Sequence, residues 1–288
     1  MNNNIIQLLL DEIDEELVYK SDKINSKSIK EYLKTNNVEN SKIIEKPIYC
    51  FSKVTSTNTI AKFLAENNAE DGTVVIAETQ TKARGRSAKK WESPKGGIWL
   101  SIILKPQINL SKSPIITLFT GVAVAKTLKS FGVDAKIKWP NDVLINGKKI
   151  SGILTESNTT SSDINYIIVG VGIDTNLKID DFKDKELKNR ITTLNEELGK
   201  NIDENEFIAK FLIEFEEIYN LYKKEDFENT LNDWRTLSDT IGKNVKIIQT
   251  NEEKYGYAID INNNGNLIIK KENGELEKIT YGECRTVD

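Results

Sequence analysis

A carboxamide, a carboxylate and an ammonium group lie close together in KWPNDVLINGKKISG, residues 138–152, as Asn141, Asp142 and Lys149. Between them sits Asn146-Gly147, a pair suited to the type I′ hairpin turn because both central positions need positive φ; apolar Val143, Leu144 and Ile145 run into it. A two-residue loop makes Ile145 oppose Lys148, Leu144 oppose Lys149, Val143 oppose Ile150 and Asp142 oppose Ser151, with opposed side chains sharing a face. Asp142 and Lys149 are then diagonal neighbours, roughly 7 to 8 Å apart at the backbone. Both can approach one phosphate or carboxylate, directly or through Mg²⁺. Pro140 biases Trp139 toward extended geometry, and Gly152 leaves room for close approach to the backbone. An ordinary surface hairpin with solvated lysines would show the same turn.

A second concentration of charge lies in residues 81–94, TKARGRSAKKWESP, where Lys82, Arg84, Arg86, Lys89 and Lys90 precede the first acid, Glu92, and Gly85 allows backbone approach. Such a segment is either a solvated mobile loop or a cationic lid that closes over polyphosphate and keeps water from a reactive acyl phosphate.

Other chemistries are excluded by composition. The chain has no histidine, so imidazole general-base catalysis, Ser-His-Asp triads and histidine metal sites are out of reach. Its two cysteines, Cys50 and Cys284, stand far apart without CxxC spacing and read as reduced thiols. A formal net charge of -4 speaks against a nucleic-acid-coating protein. With 29% charged and 38% hydrophobic residues the 288-residue chain has a globular balance, and no apolar run approaches a membrane span. The first residues lack the basic start of a signal peptide, and the reading is cytoplasmic, with no membrane or DNA partner.

Elements able to position these groups follow in order. Apolar spacing over residues 5–18 and again over 27–33 predicts two short helices in an N-terminal extension, residues 1–44. Residues 48–51 read as a strand, and Ser56 or Thr57 as the N-cap of the helix containing Ile60, Phe63 and Leu64. TVVIAE (73–78), GIWLSIIL (97–104) and YIIVGVG (166–172) read as buried strands, with Gly170 and Gly172 marking a bulge or a ligand. Residues 117–131 read as a helix. Asp203 and Glu206 have capping-box spacing before a long helix with a core face from Phe207 to Tyr222, and another helix spans 227–234. Beyond Gly242 the pattern changes to short strands at 245–248, 255–261, 267–271 and 277–281, with turns at Asn264-Gly265 and Asn273-Gly274, a small antiparallel barrel. The expectation is an α+β protein with a main domain at 45–240 and a second at 241–288.

KWPNDVLINGKKISGILTE resembles the central signature of biotin-protein ligases, and residues 80–91 resemble their GRGRxGRxW loop at Gln80, Arg84, Gly85, Arg86 and Trp91. The resemblance spans residues 45–288. It implies a mixed-sheet catalytic domain of class II aminoacyl-tRNA-synthetase-like type with flanking helices, plus an SH3-like C-terminal barrel. It also implies activation of biotin with ATP, Mg²⁺ as helper, and transfer to a lysine of a biotin carrier domain from a carboxylase or decarboxylase. Carried over by position, the biotin contacts are Ser56, Thr57, Asn58, Gln80, Arg84, Gly85, Arg86, Lys149 and Gly152. The ATP contacts are Trp91, Lys138, Asn141, Asp174 and Asn176; Lys149, Arg84, Arg86 and Asp142 do the chemistry, with Asp142 a candidate Mg²⁺ ligand. The N-terminal extension is too short and insufficiently basic for the DNA-binding arm many members carry. Members dimerise through the catalytic sheet, and a homodimer is left open here.

Five departures stand out. Ala83 and Ala88 replace glycines and Lys89 an arginine, which should leave the loop less permissive and short of a bidentate contact. Asp174 replaces an asparagine, and a carboxylate beside a triphosphate repels it unless Mg²⁺ intervenes. Arg285 is displaced from the family's terminal GEVSxR arginine. Lipoate-protein ligase is the nearest rival reading; a biotin sensor or a binder without turnover are the others.

Overall fold

The computed structural model describes residues 17–19, 21, 23–35 and 45–287. Its larger part is an eight-stranded sheet in the order β1-β2-β3-β4-β8-β7-β6-β5. These strands are β1 (Val18–Tyr19), β2 (Ile48–Val54), β3 (Val74–Gln80), β4 (Ile98–Leu104), β5 (Lys136–Lys138), β6 (Asp142–Ile145), β7 (Lys148–Thr159) and β8 (Ile164–Ile173). Only β2 and β3 run parallel; the other pairs are antiparallel, so the sheet is mixed.

Strand periodicity distributes the apolar residues between two layers. Val74 and Ile76 of β3, with Ile167, Val169 and Val171 of β8, face a core shared with α3 (Ile115–Ser130) and α6 (Glu204–Lys223). Val75, Ala77, Tyr166 and Ile168 face the other way, against Ile60, Ala61 and Leu64 of α2 (Thr57–Glu66). Coverage on both faces is why β4 is buried at every position.

Helix α1 (Ser26–Thr35) buries Ile29 and Leu33 in the main core. The helix expected over residues 5–18 falls mostly outside the described residues; its last residue, Val18, is strand and pairs with Lys53, as the next, Tyr19, does with Phe51. Asp203 caps α6 by accepting from the backbone N–H groups of Asn205 and Glu206. Glu206 does not reach back to complete the box, because its carboxylate takes Lys210 at 2.9 Å one turn on.

Two short helices, α4 (Lys185–Lys188) and α5 (Leu194–Leu198), then α7 (Glu228–Leu237), complete the main part. A second sheet, order β12-β11-β10-β9-β13, is antiparallel throughout. It comprises β9 (Asn244–Ile248), β10 (Glu253–Ile261), β11 (Leu267–Lys270), β12 (Leu276–Ile279) and β13 (Glu283–Thr286), the last not anticipated. Gly265 and Gly274 turn its hairpins at φ 77° and 85°. Among the described residues no helix is long and apolar enough to cross a membrane.

Candidate active site

The Asn146-Gly147 turn forms as its residues require, with φ of 50° and 78°. Register departs from the simple expectation beyond it. Ile145 opposes Lys148 and Leu144 opposes Lys149, but Val143 opposes Ser151 and Asp142 opposes Gly152, across a bulge. Ile150 is the extra residue, and it and Ser151 are both buried. The bulge lets Lys149 and Gly152, three apart, share a face: a Cβ on Gly152 would lie 3.1 Å from Lys149 Cε. Lys149 Nζ donates to Asp142 Oδ1 at 2.5 Å, joining the two groups that the sequence placed diagonally. A returning segment fixes the lysine backbone, since Lys149 N–H donates to Arg190 O and Thr192 N–H to Lys149 O.

Gly152 pairs with Gly172 of β8, and the Trp91 ring covers both glycines. A Cβ on either glycine would meet the ring at 2.9 Å, so the close approach expected at Gly152 is made by the chain's own indole. Trp99 meets Trp91 edge-on at 6.5 Å, and Lys149 Nζ stands 4.9 Å from the Trp91 ring centre. The basic loop is a narrow finger held by Gln80–Ser93 and Arg84–Lys90 bridges. Gly85 has an ordinary φ of -95°, whereas Ser87 and Ala88 adopt 54° and 56°. Ala88 therefore occupies a left-handed conformation that favours glycine, and the loop folds despite the replacement. Ala83 is buried, with its carbonyl accepting from Trp91 N–H.

The finger docks on the second sheet. Arg86 donates to Asn141 Oδ1 and to Gly282 O, both at 2.9 Å. Burial lowers the Arg86 pKa, opposed by Asp142 and Glu283. Lys89 pairs with Glu283 at 2.5 Å. That contact, with burial opposing and Arg285 assisting, holds the Glu283 carboxyl down at about 2. Arg285 is thus accounted for by its own neighbour.

Beneath the finger runs a polar chain. Ser56 is the N-cap of α2 by position, yet its side chain makes no capping bond. Thr57 N–H instead donates to Gln80 Oε1 at 2.8 Å, and Gln80 Nε2 donates to Ser93 Oγ. The Thr57 hydroxyl lies 2.8 Å from Ser101 Oγ, which lies 2.6 Å from Asn58 Oδ1. Asn58 Nδ2 donates to Glu156 Oε2 at 2.7 Å, and Arg84 reaches Glu156 Oε1 at 3.5 Å. Gly170 makes room, since a Cβ there would be 2.2 Å from Asn58 Oδ1.

These elements enclose a cavity of about 750 Å³, within the usual range for small-molecule sites. Ser56, Thr57, Asn58, Gln80, Arg84, Gly85, Arg86, Trp91, Lys138, Asn141, Asp142, Lys149 and Gly152 all line it. Leu100, Ile153, Leu154 and Val171 form apolar wall, and Gln249, Tyr281 and Glu283 bring in the second sheet.

Two expected residues are elsewhere. Asp174 is only 2% exposed, behind Lys149; burial pushes its carboxyl well above the usual range, with Lys149 opposing. Asn176 spends its amide on Ile202 and Glu204, bracing the start of α6. Neither lines the cavity, which removes the expected repulsion of a triphosphate by Asp174. Sequence reading missed Leu187 and Arg190, which line the cavity, and Ser101 and Glu156, which hold Asn58 from behind it. Ser101 reads as one more residue of an apolar strand, and the rest depend on long-range pairing.

Residues 50–174 match the biotin/lipoate A/B protein ligase family, and residues 240–285 the biotin protein ligase C terminal domain. The chain is 38% identical to the bifunctional ligase/repressor BirA of Bacillus spizizenii, over 91% of this chain and 79% of that one. It superposes on the biotin protein ligase of Aquifex aeolicus in complex with biotin and ATP with a TM-score of 0.73, at 30% identity, covering 84% of this chain and 100% of that one. The chain belongs to the biotin protein ligase family. Biotin--[acetyl-CoA-carboxylase] ligase of Paracoccus denitrificans is 26% identical over 68% of this chain and 83% of its own length.

Proposed function

We propose that this member activates biotin with ATP to biotinyl-5′-AMP and pyrophosphate, and then transfers biotin to a lysine of a biotin carrier domain. What carries the reading is one cavity lined by two chemically distinct sets of side chains. A neutral polar floor of Ser56, Thr57, Asn58 and Gln80 suits a ureido head, and the Lys149, Arg84, Arg86 and Lys138 rim suits a carboxylate meeting phosphates.

In this reading Lys149 bridges the biotin carboxylate and the α-phosphate, exchanging its contact with Asp142 for the reacting oxygens. Negative charge grows on phosphoryl oxygens in both steps, and fixed cations in a site closed to water stabilise it best. Arg84 and Arg86 assist, Trp91 offers an aromatic face to the nucleotide, and Asn141 and Lys138 line its approach. Alignment supplies much of the rate, because carboxylate and amine are ordinary nucleophiles once desolvated and oriented. Mg²⁺ would supply charge neutralisation on the triphosphate. Among the described residues no group of three ligating side chains exists, so the fit is to an ion carried by the nucleotide, with Asp142 as protein ligand.

The acceptor is a carrier domain of a biotin-dependent carboxylase or decarboxylase, and ATP supply suggests the cytoplasm. No DNA partner is proposed, because a net charge of -4 gives no electrostatic footprint for one; a homodimer remains a proposal for sedimentation to decide. The test is exchange of labelled pyrophosphate into ATP with Mg²⁺ and no carrier. Exchange dependent on biotin is expected. Exchange with lipoate alone, or with neither, would overturn the reading.

A further inference from the structure

The polar floor fixes more than the position of its hydroxyls. On one side of the Asn58 amide stand two groups that only accept, the Leu154 carbonyl at 3.4 Å and the Glu156 carboxylate at 2.7 Å. Nδ2 must face them, which turns Oδ1 toward Ser101. Ser101 is fully buried and has a single proton, and Oδ1 at 2.6 Å can only accept it. Ser101 therefore has nothing left to donate to Thr57. On the other side Gln80 Oε1 is fixed as an acceptor by the Thr57 backbone N–H at 2.8 Å. The Thr57 hydroxyl thus has two neighbours, Ser101 Oγ at 2.8 Å and Gln80 Oε1 at 3.1 Å, and both can only take its proton.

We infer that Ser101 and Glu156 are positioning residues for substrate selection: they keep the Ser101 proton on Asn58 and off Thr57, whose own proton goes inward, and so leave the Thr57 lone pairs for a hydrogen-bond donor on the substrate. This rests on the ligase reading and deepens it. A cyclic urea supplies such a donor, whereas the dithiolane of lipoate has none. A site built around a committed acceptor rejects ligands without the donor, because the buried acceptor is then left unpaired. Losing Glu156 frees the Asn58 amide to rotate, lets Ser101 turn its proton onto Thr57, and occupies one lone pair.

The experiment compares biotin with an isosteric cyclic carbamate, in which a ring oxygen replaces one ureido N–H, as substrates for pyrophosphate exchange. In the unaltered protein the carbamate KM should exceed that of biotin by roughly 10- to 100-fold. Glu156→Met should raise the biotin KM about 10-fold with kcat little changed and leave the carbamate KM nearly unmoved, so discrimination falls. Glu156→Gln keeps an acceptor for Asn58 and should restore most of it. Ser101→Ala, with the melting temperature as its control, removes the Ser101 proton while Gln80 still takes that of Thr57, and should leave the ratio nearly as in the unaltered protein. A parallel loss for both substrates, an unchanged ratio in Glu156→Met, or a ratio that collapses in a folded Ser101→Ala, overturns the inference. Silence of the unaltered protein with biotin would instead remove the ligase reading itself.

Discussion

Lys149 has four partners that divide between its two ends: Asp142 and the Trp91 face engage its charge, and Arg190 and Thr192 hold its backbone. Removing only the charged end should therefore leave the fold alone and strike the chemistry. Lys149→Ala is expected to lower biotin-dependent pyrophosphate exchange by about 10²- to 10³-fold, the usual cost of one fixed group at developing charge, with an unchanged far-ultraviolet spectrum. Asp174 makes the opposite case. Its buried carboxyl is held above its ordinary value, so the folded state keeps a proton that the unfolded state has released. Stability is then lost as pH rises from the unfolded value near 3.8 toward the folded one. Asp174→Asn should raise the melting temperature by a few degrees at neutral pH and give almost nothing near pH 3; an equal gain at both would reject this account. Sequence reading could see that Asp174 departs from the family pattern. It could not see that the residue faces inward, because that depends on Leu194 N–H, twenty residues on, donating to the Asp174 carbonyl.

The basic finger is the element on which sequence expectation and structure differ most usefully. Its cations were legible as a run, and its turn from cavity to second sheet was not, because Lys89 and Glu283 are far apart in sequence. The Asn-Gly turn was legible for a local reason, a φ requirement, while the bulge after it depends on how β7 also meets β8 and was not. At Ala88 the left-handed backbone costs about 1 to 2 kcal/mol, partly offset by the greater freedom glycine has when unfolded. Ala88→Gly should thus stabilise the docked finger by a net of about 0.5 to 1 kcal/mol and slow tryptic cleavage beside Lys89 by roughly 2- to 5-fold. Glu283→Gln should act in reverse, modestly, because the pair is partly exposed and such pairs contribute at most about 1 kcal/mol. A depressed folded pKa means this contribution is present above the ordinary carboxylate value of 4.5 and disappears as pH falls toward about 2. Melting temperatures of the parent and of Glu283→Gln should therefore differ at neutral pH and converge as pH falls toward about 2.

At the scale of the whole molecule, the two sheets could be independent units joined by a linker, as the change of pattern at Gly242 suggests, or one cooperative body. The contacts favour one body. Val245, Ile247, Leu267, Ile269, Ile279 and Cys284 belong to the same buried cluster as α3, α6 and the main sheet. Trp139, within the central motif, donates its backbone N–H to Thr240 Oγ1 and its ring N–H to Gly265 O. Ile137 bridges to Ser238, and a Cβ on Gly265 would lie 2.9 Å from Leu118 of α3. An apolar seam of this kind should couple the unfolding of both parts, since separating them would expose core rather than a wet interface. Calorimetry of the full chain is expected to show a single transition whose calorimetric and van't Hoff enthalpies agree. Ending the chain after residue 240 should remove the dock for Arg86 and Lys89, strip one side from the core beneath Trp139, and abolish exchange activity along with the cooperative transition. Two resolved transitions, or a truncated chain that melts cooperatively and still exchanges pyrophosphate, would mean that the second sheet is an appendage and that the cavity is complete without it.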